Sequence, residues 1–119
     1  MIGVIVFAHG SRDPQWRLPV EAVAERIRSR SPGTPVACAY LELTEPDLPT
    51  AADSLFAAGV TDLHILPLFF GMGKHAREDL PLLVTQLQQQ HPERVVRALP
   101  AAGEHAEVTD LLARIALNG

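Results

Sequence analysis

The chain has 119 residues, 47% of them hydrophobic, and a formal net charge of -4, enough to bury one core but with no apolar run long enough to cross a bilayer. The acidic balance leaves no electrostatic footprint for nucleic acid or an anionic membrane surface, and one Trp, one Tyr and four Phe are too few for a base-stacking platform. A lone cysteine, Cys38, excludes a disulfide framework or a thiolate metal cluster and reads as a core residue.

In chain order, the first strand is read over 2–8, IGVIVFA. No basic region or small-residue cleavage site precedes it, so neither a signal nor a transit peptide is expected and the expected location is the cytoplasm. Helix one is predicted to start with Asp13 as N-cap and Pro14 at the first helical position, and to bury Trp16, Val20, Val23 and Ile27. Strand two spans about 35–41, PVACAYL. Helix two opens between Glu45 and Pro49, turns Leu48, Ala52, Leu55 and Phe56 inward, and stops at Gly59, a left-handed C-cap. Strand three spans about 62–68. Helix three is predicted from Asp79 as N-cap with Pro81 in its first turn, then Leu82, Leu83 and Leu87, which leaves His75 in the preceding loop. Strand four spans about 94–99, and helix four follows Gly103 with Val108, Leu111, Leu112 and Ile115 facing inward.

No repeat, linker or low-complexity tract divides this βαβαβαβα pattern, so residues 1–119 read as one domain. Strands apolar along their whole length suit a parallel sheet covered on both faces. Right-handed crossovers then give an α/β, doubly wound, flavodoxin-like lobe with a four-stranded sheet in the order 2-1-3-4. Ligands of such sheets bind beyond the carboxyl ends of the strands, at the switch point between strands 1 and 3. The bordering loops are AHGSRDP and FFGMGKHARED, and each carries one histidine.

His9 therefore reads as a metal ligand or base, or as a strand-end histidine satisfied by a backbone carbonyl. His75 reads as its counterpart on the opposite lip of the crevice, or as a solvated loop residue. Two neutral imidazoles suit a borderline divalent ion such as Co²⁺, Fe²⁺, Ni²⁺ or Zn²⁺, and so few ligands leave coordination positions open. Glu42, at the carboxyl end of strand two, is a candidate third ligand or a solvated glutamate. Ser11, Arg12, Lys74 and Arg77 form either a cationic rim for a polycarboxylate or ordinary solvated loop charge. His64 is read as a hydrogen-bonded core or subunit-interface histidine, and His91 and His105 as surface residues.

Competing motifs fail on particular positions. A phosphate loop through GMGK requires Gly at Leu68 and Ser or Thr at His75, so no nucleotide is implied. Ser11 lacks the flanking glycines of a nucleophile elbow.

The segments HGSRDP from His9, AYLELTEPDLP from 39 to 49 and PLFFGMGKHAREDLP from 67 to 81 resemble the small class II tetrapyrrole chelatases of the CbiX type. The resemblance spans essentially the whole chain. It implies ATP-independent insertion of Co²⁺ or Fe²⁺ (Ni²⁺ being possible) into sirohydrochlorin, a lyase-class reaction of cobalamin or sirohaem biosynthesis. It gives His9 and His75 the metal-binding and catalytic roles, places Glu42 within a matching segment without fixing its role, and gives Arg12, Lys74 and Arg77 of the rim a purpose as contacts to the carboxylates of sirohydrochlorin. Longer members of the class contain two such lobes, so a one-lobe chain implies a homodimer. The alternatives are a non-catalytic metal or tetrapyrrole carrier using the same crevice, and a metal-free lobe that only dimerises.

Overall fold

The computed structural model describes residues 1–119. Four strands, β1 (Ile2–Ala8), β2 (Val36–Tyr40), β3 (Asp62–Pro67) and β4 (Val95–Ala98), alternate with four helices, α1 (Leu18–Arg30), α2 (Leu48–Ala57), α3 (Lys74–Gln90) and α4 (Ala106–Asn118). A 3₁₀ turn at Ala102–Glu104 precedes α4. The sheet is parallel throughout, in the order β2-β1-β3-β4, with Val6 opposite both Cys38 and Leu66. Class, order and strand positions all agree with the expectation from the sequence. No helix is long and apolar enough to cross a membrane.

The two faces of the sheet are unequally covered. Helices α2 and α3 bury one face in a cluster of 14 residues that includes Ile5, Phe7, Leu48, Phe56, Leu63, Ile65 and Leu87. Each large aliphatic or aromatic side chain there contributes about 1.5–3 kcal/mol. On the other face only α1 packs, and the cluster is five residues: Val6, Ala8, Val20, Ala24 and Tyr40. The difference arises because α4, the other helix available to that face, buries no residue at all.

Helix α2 begins and ends where local chemistry dictates. Asp47 accepts a hydrogen bond from Thr50 N at 3.0 Å, and Pro49 stands in the first turn, where its missing N–H costs nothing. Its end is a Schellman-type turn: Gly59 adopts φ 103°, and the amides of Gly59 and Val60 return to Phe56 O and Leu55 O.

Four expectations require correction. Helix α1 starts at Leu18 rather than Pro14, because Asp13 closes a turn instead, accepting from Gln15 N through Oδ1 and from Trp16 N through its carbonyl. A helix begun at Pro14 would put Pro19 in its second turn, where the ring removes a hydrogen bond. Trp16 consequently lies outside the helix, 37% exposed, with its ring 6.2 Å from that of Tyr40. Helix α3 starts at Lys74, with Gly73 as N-cap and Pro81 inside it, so His75 belongs to its first turn. The earlier start buries Ala76 and Leu80, one turn apart, and this offsets the helix-interior proline; Leu82 falls on the exposed side. In α4, Leu111, Leu112 and Ile115 are exposed rather than inward. Finally, His64 is half-buried on β3 with no hydrogen-bond partner for its ring, which removes the hydrogen-bonded core alternative of its reading and leaves the subunit-interface one standing.

Candidate metal site

The carboxyl edge of the sheet is where the loops after β1, β2 and β3 meet. Strand β1 delivers His9, and the chain reverses at Gly10, whose φ of 105° suits glycine. A Cβ at Gly10 would also overlap the carbonyl oxygen of Glu42, so the two loops are pressed backbone to backbone. Glu42 N donates to His9 O at 3.0 Å, which extends the β1–β2 pairing past the end of the strands. Thr44 completes the junction: its Oγ1 accepts from Ser11 N at 3.1 Å and donates to Ser11 O at 2.8 Å.

This junction brings His9 Nε2 to 2.8 Å from Glu42 Oε1. Both side chains are 54% exposed, so the pair is open to an incoming ligand. The imidazole donates and the carboxylate accepts, which in the neutral ring leaves Nδ1 as a lone-pair donor; a carboxylate orienting an imidazole in this way is common around bound metals. A divalent cation replacing the shared proton would meet one nitrogen and one oxygen already near the ~3 Å separation of adjacent ligands that each lie about 2.1 Å from a metal.

His75 is exposed in the first turn of α3, beyond the end of the strand adjacent to β1. It shares the sheet edge with His9 and Glu42 but does not close on them: no group of three His, Cys, Asp or Glu side chains is arranged to hold a metal. The structure therefore unites His9 with Glu42, the less obvious partner in the sequence, and leaves His75 separate.

The remaining rim residues divide. Ser11 is committed to the backbone, its Oγ accepting from Asp13 N at 3.1 Å while its own amide is held by Thr44. Arg12, Lys74 and Arg77 are exposed, and none has an ion-pair partner. The first turn of α3 carries no side-chain cap and no acidic residue, so its free amides and dipole end add to the positive character near Lys74 and Arg77. Beside this edge, Phe7, Tyr40, Leu41, Leu48, Leu82 and Leu83 line much of a crevice of about 370 Å³, with Asp47 and Asp79 at its polar margin. Exposed Leu43 and Phe70 stand on the loops after β2 and β3.

Sequence reasoning missed Thr44, Leu43 and Phe70. Thr44 lies 33 residues from its partner Ser11, and nothing local to LELTEPD signals that pairing.

His91 and His105 serve structure. His91 Nε2 lies 3.0 Å from Asp53 Oδ1, with its ring against Phe56, and His105 Nε2 donates to Pro100 O at 2.8 Å. Cys38 is half-buried, and burial pushes its thiol up from the ordinary cysteine value, away from the thiolate that reactivity requires.

Comparison with known proteins agrees with this architecture. The family model described as CbiX matches residues 3–117. A sirohydrochlorin cobaltochelatase of Saccharolobus solfataricus is 31% identical over 109 residues, covering 92% of this chain and 79% of its own. The chain spans a smaller part, 55% and 59%, of the sirohydrochlorin cobaltochelatases of Methanothermobacter thermautotrophicus and Methanopyrus kandleri. Among solved structures, a CbiX protein from Marinobacter aquaeolei superposes with a TM-score of 0.83 at 28% identity, over 99% of this chain and 96% of that one. The sirohydrochlorin chelatase SirB of Bacillus subtilis subspecies spizizenii, solved with cobalt, shares the fold with a TM-score of 0.80 at 22% identity; 98% of this chain matches 50% of that one.

Proposed function

The chain belongs to the CbiX family, and from that membership and the site geometry we propose that it is a chelatase, inserting Co²⁺ or Fe²⁺ into sirohydrochlorin without a nucleotide. The observation that carries the proposal is the exposed His9–Glu42 pair at the carboxyl edge of the sheet, with His75 on the loop-to-helix junction beyond the neighbouring strand.

Insertion of a divalent ion into a tetrapyrrole requires a partly desolvated ion with exchangeable ligands and a base for the two pyrrole protons. A histidine nitrogen and a carboxylate oxygen hold the ion without enclosing it, so macrocycle nitrogens can replace them one at a time. Each group released from the ion is then free to accept a proton, the imidazole and the carboxylate being the only bases required. His75 approaches from the other lip as the second imidazole. Before an ion binds, Glu42 orients His9 through the Nε2 proton, and it would share the ion once the ion takes that proton's place. The apolar crevice and the exposed Leu43 and Phe70 suit the flat face of the macrocycle. Arg12, Lys74, Arg77 and the uncapped start of α3 suit its carboxylates.

In this reading residues 1–119 act as one catalytic lobe that works as a homodimer. The test is anaerobic absorption spectroscopy of sirohydrochlorin mixed with Co²⁺, Fe²⁺ or Ni²⁺, with and without the protein. Catalytic acceleration at substoichiometric protein is expected, and its rate ranks the metals. Stoichiometric binding without acceleration would replace the chelatase by a carrier.

A further inference from the structure

The apolar crevice beside the sheet edge takes its α3 wall from Asp79, Leu82, Leu83 and Gln86, which recur at the three, four and seven residue spacing of one helix face. His75 stands one turn before them on that face, four residues ahead of Asp79. Side chains so spaced are neighbours, with Cβ atoms about 5–6 Å apart. Glu78 is the other acid within a turn of His75, but at about 100° per residue it projects directly away from the buried stripe of Ala76, Leu80 and Leu87. It does not line the crevice.

Of the two acids at the crevice margin, Asp47 is committed to capping α2, accepting from Thr50 N at 3.0 Å. Asp79 is exposed and its carboxylate has neither a hydrogen-bond nor an ion-pair partner. The same is true of the His75 ring. His9, by contrast, already has Glu42 at 2.8 Å. A metal-ligating imidazole donates its second N–H to a carboxylate, a carbonyl or water, which fixes the tautomer and the ring orientation. His9 has such a carboxylate from a neighbouring loop, and the only crevice-facing one within a turn of His75 is on its own helix.

We propose that Asp79 is the positioning carboxylate of His75: it accepts one ring N–H and so presents the other ring nitrogen, with its lone pair, to the incoming ion. The inference rests on the reading of His75 as a ligand of that ion. Both side chains are exposed on one helix face, so the contact requires only rotation about side-chain bonds. A cation on the free nitrogen polarises the ring N–H and strengthens its bond to the carboxylate. Asp79 thus acts through His75 and leaves the ion itself to the imidazole.

A double-mutant cycle tests this, with two measurements: the rate of Co²⁺ insertion into sirohydrochlorin, and the affinity of the protein alone for Co²⁺ by visible absorption. Asp79→Asn should lower both about 10–100-fold, with KM for sirohydrochlorin and the urea midpoint close to wild type. In a His75→Ala background the same change should lower neither further. Asp79→Glu, which keeps a carboxylate on the same face, should recover most of the loss, and Glu78→Gln should match wild type. The proposal is overturned if His75→Ala is impaired while Asp79→Asn is not, if the Asp79→Asn loss is equally large without His75, or if that loss is confined to KM. Wild-type insertion and Co²⁺ affinity in His75→Ala would remove the reading of His75 on which the proposal rests, and the proposal with it.

Discussion

His9 Nε2 and Glu42 Oε1 lie 2.8 Å apart, although 33 residues separate them and each stands just beyond a different strand of the sheet. Their approach depends on the backbone contact at Gly10 and on Thr44, so the geometry of the pair can be tested from several directions.

Replacing either imidazole removes a proposed metal ligand and base without touching the core, since both side chains are exposed. His9→Ala and His75→Ala should each lower the rate of metal insertion about 100-fold or more, with urea midpoints close to wild type. Full activity in both single variants would exclude them from the reaction.

Glu42→Gln keeps the shape of the side chain but removes the charge that orients His9 and shares the ion. A loss of about 10–100-fold in Co²⁺ affinity or insertion rate is expected, read by titration calorimetry and by the absorption assay. Unchanged values in both would reduce Glu42 to a solvated partner.

Thr44→Val deletes two hydrogen bonds to Ser11 and leaves its amide and carbonyl without their partner. Stability should fall by about 1–3 kcal/mol, measured by urea denaturation, and insertion should slow as Glu42 shifts. Thr44→Ser should restore both, which a role in simple packing does not predict.

Gly10→Ala meets both a positive φ and the Glu42 carbonyl. The loops must separate, at a cost of about 2 kcal/mol or more, and the His9–Glu42 contact should be lost with them. A variant of wild-type stability and activity would show that the junction tolerates a side chain.

The hydrogen bonds to Thr50 hold the Asp47 carboxyl below the ordinary aspartate value. A carboxyl lowered on folding stabilises the native state above its unfolded pKa, and the contribution is lost as pH falls through the folded value. Asp47→Ala should therefore cost about 1 kcal/mol at neutral pH, and the gap to wild type should narrow as acid protonates the cap. Urea midpoints at pH 7 and pH 3 measure it; a gap that widens in acid contradicts the capping role.

The strands were legible because apolar runs such as IGVIVFA and DLHILP are local and continuous, and the right-handed crossover rule leaves few ways to order them. Helix starts were less so. Asp13-Pro14 and Asp79 with Pro81 both look like N-termini, but Asp13 closes a turn and Pro81 is carried inside a helix held by Ala76 and Leu80. Local capping chemistry lost to burial in α3, and to the placement of Pro19 in α1.

By itself the sequence determined the doubly wound sheet, its strand order and the delivery of His9 to the carboxyl edge, because periodicity states which residues require burial and chirality limits how strands connect. Only the tertiary structure decided that Glu42 meets His9, that Thr44 clasps Ser11, and that the apolar stripe of α4 faces away from its own core. Periodicity records that a face needs covering but not what covers it, and a hydrogen bond across 33 residues depends on the path of two loops that no local pattern encodes.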